Sequence, residues 1–117
     1  VIDSKRYPYP HFHELEALQG IIDAVNERFP RVGKMFLYGS KARGDIREES
    51  DIDLLLEVEN ELSRDEKTGI YDLIFDFEVG HQVQVSVVFA SREDIASGTY
   101  ALLRRVRKEG IEVWSRG

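Results

Sequence analysis

Hydrophobic and polar positions follow two rhythms along the 117-residue chain. From His11 onward, Phe12, Leu15, Ile22, Val25 and Phe29 recur at helical spacing, with Leu18 and Ile21 close to the same stripe, and Pro30 closes that helix. After a turn at Gly33, the run Met35-Phe36-Leu37 predicts a buried strand. Residues 51–58 carry a second, Leu-rich strand, antiparallel to the first given the short connection between them. Ser63-Arg64-Asp65-Glu66 has the S-x-x-E form of a capping box, and Ile70, Leu73, Ile74 and Phe77 then supply one apolar helix face that ends at Gly80. Residues 83–89 are β-branched and partly alternating, a third strand. Ser91 caps further helical sequence running to about Lys108 with a break at Gly98, and Ile111 to Trp114 form a short apolar end after Gly110. Pro8 and Pro10 make residues 1–10 an irregular arm.

The order α-β-β-α-β-α predicts an α/β (α+β) sandwich: a small mixed sheet with helices mainly on one face, the other face left partly open for a site carried on strands. Residues 1–117 read as one domain, since no linker, repeat or low-complexity segment interrupts them. A net charge of −6 argues against general nucleic-acid binding, which relies on basic surface. With no cysteine, disulfides and thiolate metal sites are excluded. No apolar run reaches the length of a membrane span and no signal-peptide pattern opens the sequence, so a cytoplasmic protein is expected.

The chemistry concentrates between Leu37 and Leu56. On a strand, Asp51 and Asp53 project from the same side, roughly 6–7 Å apart, while Ile52, Leu54 and Leu56 fill the other. Two such carboxylates stay ionised together when a cation lies between them, and hard oxygen ligands suit Mg²⁺ (or Mn²⁺) sharing its shell with phosphate oxygens. Upstream, Gly39 permits a tight turn and close backbone approach, Ser40 offers a hydroxyl and an N–H, and a helical turn starting near Lys41 would aim N–H groups at an anion. Gly39 to Gly44 has P-loop spacing, but Asp45-Ile46 stand where Lys-Ser/Thr is required. Arg43-Gly44-Asp45 spells an adhesion tripeptide that nothing else in the sequence supports.

Gly39-Ser40, ten intervening residues and Asp51-x-Asp53 make up the G-S-x10-D-x-D pattern. In this the chain resembles the polymerase-β-like nucleotidyltransferases, and the wording from Gly39 to Asp45, with Ser50 before Asp51, resembles their small prokaryotic branch, the minimal nucleotidyltransferases. The resemblance implies an NTP substrate, ATP foremost, Mg²⁺, and transfer of a nucleoside monophosphate to an acceptor hydroxyl. By position, Asp51 and Asp53 would be the catalytic metal ligands, Gly39 and Ser40 would hold the triphosphate, and Lys41 and Arg43 would add positive charge. It also implies a HEPN-type protein partner, since members of the branch pair with such proteins as antitoxins and some attach AMP to them. Enzymes of this superfamily that modify small molecules such as aminoglycosides normally carry a further domain.

One expected feature is absent. The superfamily usually adds a third carboxylate from a later strand, yet residues 83–89 put Gln84, Ser86 and Val88 on one face, so Gln84 or Ser86 occupies that place. Neither takes up a proton at neutral pH. Asp72 and Asp76 lie opposite the apolar stripe of their helix and read as a solvated face, and Glu78 and Glu57 are weaker candidates. An alternative therefore stands: a nucleotidyltransferase fold with weakened or lost chemistry that acts by docking to a protein. His11, His13 and His81 have no metal-pair spacing; Arg104, Arg105, Arg107 and Lys108 suit a helix C-terminus; Tyr7, Tyr9 and Trp114 read as packing residues for the chain ends.

Overall fold

A computed structural model describes residues 12–42 and 51–116. Helix α1 (Phe12–Arg28) leads to strand β1 (Val32–Tyr38), the single turn α2 (Gly39–Ala42) and strand β2 (Ile52–Val58). Helix α3 (Arg64–His81), strand β3 (Val85–Ser91), helices α4 (Arg92–Ser97) and α5 (Ala101–Glu109) and strand β4 (Ile111–Ser115) follow. The predicted arm at 1–10, with Tyr7 and Tyr9, together with His11 and the loop at 43–50, lies outside the described residues.

The four strands form one mixed sheet in the order β3-β2-β1-β4. β1 runs antiparallel to β2 and β4, as the short β1–β2 connection requires. β2 and β3 run parallel, because α3 crosses over between them. Two caps foreseen in the sequence are formed. Ser63 and Glu66 satisfy each other's backbone N–H groups at 3.1 and 2.9 Å, and the Ser91 hydroxyl accepts from the Asp94 N–H at 3.1 Å.

Several boundaries differ from expectation. β1 begins at Val32, so Gly33 lies inside the strand rather than in a turn before it, and β2 begins at Ile52, leaving Asp51 just ahead of it. Helix α3 passes through Gly80 to His81, and Gln82 takes the left-handed cap position at φ 55°. Glu78 holds this turn: its carbonyl accepts from the Gln82 cap N–H and its carboxylate accepts from Val85 N at 2.9 Å. β3 accordingly starts two residues later than residue 83 and extends to Ser91. The apolar end is a fourth strand, paired to β1 through Leu37↔Ile111 and Met35↔Trp114. Arg116 fastens it, donating to the Val32 and Phe29 carbonyls at 3.0 Å each while stacking over Trp114 at 5.0 Å.

The sheet separates two apolar clusters. The larger packs α1 and α3 on Met35, Leu37, Ile52, Leu54, Leu56 and Val58, with Trp114 against its edge. The smaller, on the other face, joins Tyr38, Leu55 and Ala90 to Leu103 and Val106 of α5. The long helices thus cover one face, and the short α4 and α5 cover part of the other. Among the described residues, no helix is long and apolar enough to cross a membrane.

Candidate active site

β1 ends in α2, and β2 returns alongside, so the two halves of the Leu37–Leu56 stretch meet at one end of the sheet. Gly39 is in the left-handed region at φ +75° and is buried. There it faces Asp53: an ideal Cβ built at Gly39 would fall on Asp53 Oδ2 and lie 3.3 Å from Cγ. Glycine is required twice here, for the backbone angle and for the room. Asp53 pairs across the antiparallel ladder with Tyr38 and across the parallel ladder with Ser86, so these three side chains share a face. Asp51 immediately precedes β2 and is exposed at the mouth of the strand.

Of the residues singled out from sequence, the fold thereby gathers Gly39, Asp53 and Ser86, with Asp51 at the margin. Gln84 precedes β3 and is exposed; its carbonyl accepts from Ile52 N at 2.8 Å. Ser86 is the direct register partner of Asp53. Ser40 and Lys41 are placed on α2 by their backbone, and Arg43 lies outside the described residues. Asp72 and Asp76 are exposed on α3, and Glu78 is engaged with Val85 N. His81 stacks on Phe77 with ring centroids 5.7 Å apart, and its Nδ1 lies 3.3 Å from the Phe77 carbonyl, a structural role.

Tyr38 was not anticipated from sequence. Burial raises the pKa of its phenol above the ordinary value, the negative charge of Asp53 adds to that, and Arg105 on α5 works against it. A neutral phenol therefore stands across the ladder from the carboxylate. In the sequence Arg105 reads as part of a helix-end cluster, because its approach to a strand residue far away in the chain has no local signal.

The donor set fits a hard divalent ion. Mg²⁺ commonly takes one or two protein carboxylates and completes its shell with water and phosphate oxygens, which two aspartates at a strand mouth allow. Among the described residues, no group of three or more His, Cys, Asp or Glu is close enough to form a cage without such a substrate. Farther along the same face of β2, Glu57 is 6% exposed, receives Arg92 Nε at 3.2 Å, and borders cavities of about 530 and 380 Å³.

Residues 18–112 match the family model described as the nucleotidyltransferase domain. A Methanocaldococcus jannaschii protein, provisionally named a protein adenylyltransferase, is 42% identical over 45 residues, which span 38% of this chain and 45% of that relative. The crystal structure of a toxin–antitoxin with AMP-PNP matches at TM-score 0.63 and 20% identity, covering 84% of this chain and 73% of that one. The MNT antitoxin complex with a tri-AMPylated HEPN toxin from Shewanella oneidensis matches at TM-score 0.59 and 18% identity, covering 90% and 74%. At those identities the two structures establish a common fold.

Proposed function

Because the chain belongs to the nucleotidyltransferase domain family, we propose that it transfers a nucleoside monophosphate, AMP from ATP, to a hydroxyl on a partner protein of HEPN type. One observation carries the reading: the Asp53 carboxylate is held against the left-handed Gly39 turn, which brings the acidic strand to the glycine-serine bend. The adenylyltransferase name of the archaeal relative and the AMPylated toxin beside the Shewanella antitoxin support AMP and a protein acceptor.

In this reading Asp51 and Asp53 hold the divalent ion, Mg²⁺ or Mn²⁺. When bound, that ion neutralises the triphosphate and helps align an in-line displacement. Gly39 and Ser40 lend backbone N–H groups to the phosphates, and Lys41 and Arg43 add positive charge. The acceptor oxygen forms a bond to the α-phosphorus, the bond to the bridging oxygen breaks, and pyrophosphate leaves. The hydroxyl proton passes to solvent or to a group on the acceptor, because Ser86 cannot receive it.

A second reading rests on the same Ser86: the chain docks to its partner without transfer. Incubation with labelled ATP and a purified HEPN-type partner separates the two, since label on the partner excludes docking alone and a tight unlabelled complex excludes transfer. The metal assignment is tested by calorimetry with a non-hydrolysable ATP analogue and Mn²⁺. Affinity should be lost in Asp51→Ala/Asp53→Ala; unchanged affinity in the double variant overturns it.

A further inference from the structure

Helix α3 leaves an apolar row uncovered. Tyr71, Phe75 and Val79 are 49%, 61% and 65% exposed, and their spacing of four stacks them on one side of the helix. The core side of the helix is already supplied by Ile70, Leu73 and Ile74, so the row points outward. Single exposed apolar side chains are ordinary, whereas a contiguous row marks an interaction surface. Tyr71 meets Phe89 edge-on at 5.7 Å, which joins the row to β3. Among the described residues β3 pairs with β2 alone, so it is an edge strand.

The charge beside the row is mostly of one sign. Asp72 and Asp76 follow Tyr71 and Phe75 directly and are exposed, as is Asp65 on the same flank. The neighbouring α1, whose Gly20 lies against Phe77 of α3, turns Glu16, Asp23 and Glu27 outward on one face. The lysine and arginine of α3 are Arg64, exposed at its N-terminal end, and Lys67, half-buried one turn before Tyr71, so the row's N-terminal end is basic and its Asp72–Asp76 flank acidic.

We propose that the Tyr71–Phe75–Val79 row docks an amphipathic helix of another protein, one that sets lysine or arginine beside its own apolar stripe. Charge decides against a second copy of this chain. An antiparallel copy of α3 would bring Asp72 and Asp76 against their own counterparts. The basic helix α5 presents Arg104, Arg105, Arg107 and Lys108, but its apolar residues Leu103 and Val106 are buried. Beyond Val79 the chain turns into β3, where Ser86 pairs with Asp53 on the opposite face of the sheet. A helix docked on α3 therefore lies on the side of the sheet away from Asp53 and leaves the candidate active site open. Identifying its owner as the acceptor rests on the reading above; the docking does not.

The test uses fluorescein-labelled helical peptides that share one Leu/Phe stripe and differ in carrying Lys or Glu along its flank, measured by fluorescence anisotropy without nucleotide. The Lys peptide should bind about ten-fold tighter than the Glu peptide and weaken with salt. Phe75→Ser should cost about ten-fold, and Asp72→Lys/Asp76→Lys should reverse the preference. No binding, equal binding of both peptides, or indifference to Phe75→Ser overturns the proposal. So does a concentration-dependent dimer in sedimentation velocity that Phe75→Ser abolishes, which would assign the row to a second copy. Circular dichroism checks that the variants fold, as surface substitutions should. Binding of the ATP analogue, measured separately, tells failure here from failure of the nucleotide reading.

Discussion

β2 presents two faces with opposite duties. On one, Ile52, Leu54, Leu56 and Val58 are 0–5% exposed beneath α1 and α3. On the other, Asp53 and Glu57 lie to either side of Leu55, which alone of the three packs into the smaller cluster. The alternation of a strand lets a domain of this size spend half its central strand on hydrophobic burial and leave the rest for charge. Leu55 anchors α5 midway, through a cluster that also holds Tyr38 against Leu103 and Val106. Stability and chemistry are thus separated by one residue of register, and substitutions on the two faces should fail in different ways.

The largest effect is expected on the dry face. Leu54→Ala removes a fully buried side chain and should cost about 2–5 kcal/mol in urea unfolding. The folded fraction should keep its affinity for the ATP analogue. Next comes Ser86→Asp, which places a carboxylate in register with Asp53. If a base is what limits the reaction, transfer to the partner should rise about 10²-fold, read as label incorporated per minute, with the metal-free protein somewhat less stable because like charges then oppose each other across the ladder. Gly39→Ala should disturb both faces at once. Its left-handed angle costs about 1–2 kcal/mol for an L-residue, and its new methyl displaces the Asp53 carboxylate, so loss of analogue binding should exceed what the stability change explains.

The parts of this arrangement visible in the sequence are those encoded locally. Ile70, Leu73 and Ile74 announced the buried side of α3 through their period, and Ser63 with Glu66 announced its start. Gly39 carried the turn requirement in its residue type, and Asp53 lay on the polar side of an otherwise apolar strand. The rest depends on contacts distant in sequence. Gly80 looked like a terminator, but a carbonyl and a carboxylate from Glu78 hold the turn farther on. Ile111 to Trp114 became a strand because β1 offered an open edge and Arg116 pinned the end to Val32 and Phe29. Ser86 rather than Gln84 faces Asp53 because the parallel register, set by α3, decides the pairing. The exposed row on α3 has no local signal, because its three members resemble core residues until the burial of the opposite side is known.

A smaller effect sharpens the comparison at the edge of the helical layer. Ser63→Ala removes the hydroxyl that accepts from Glu66 N at 3.1 Å and should cost about 1 kcal/mol. Analogue affinity should not change, because α3 packs on the face away from Asp53.

The smallest effect is a pH dependence confined to the same layer. Arg31 grips the Glu66 carboxylate through Nη2 and through Nε, the latter at 3.2 Å, while the Ser63 N–H donates to it at 2.9 Å. The Arg31 hydrogen bond, then the Ser63 backbone, lower its pKa from the ordinary 4.5 to about 2. Between those values the unfolded chain binds more protons at this residue than the folded chain, so the contribution of Glu66 to stability grows as pH rises through that window. It is fully present above the ordinary carboxylate range and disappears as pH falls towards the folded value. The pair is partly exposed to solvent, so the effect should be modest. Glu66→Gln should therefore unfold at slightly lower urea than the parent at neutral pH, with the gap closing as acid is added. A gap independent of pH would mean that the glutamate acts through packing rather than charge. Loss of analogue binding at neutral pH in Glu66→Gln would mean that the two faces of the sheet are coupled after all.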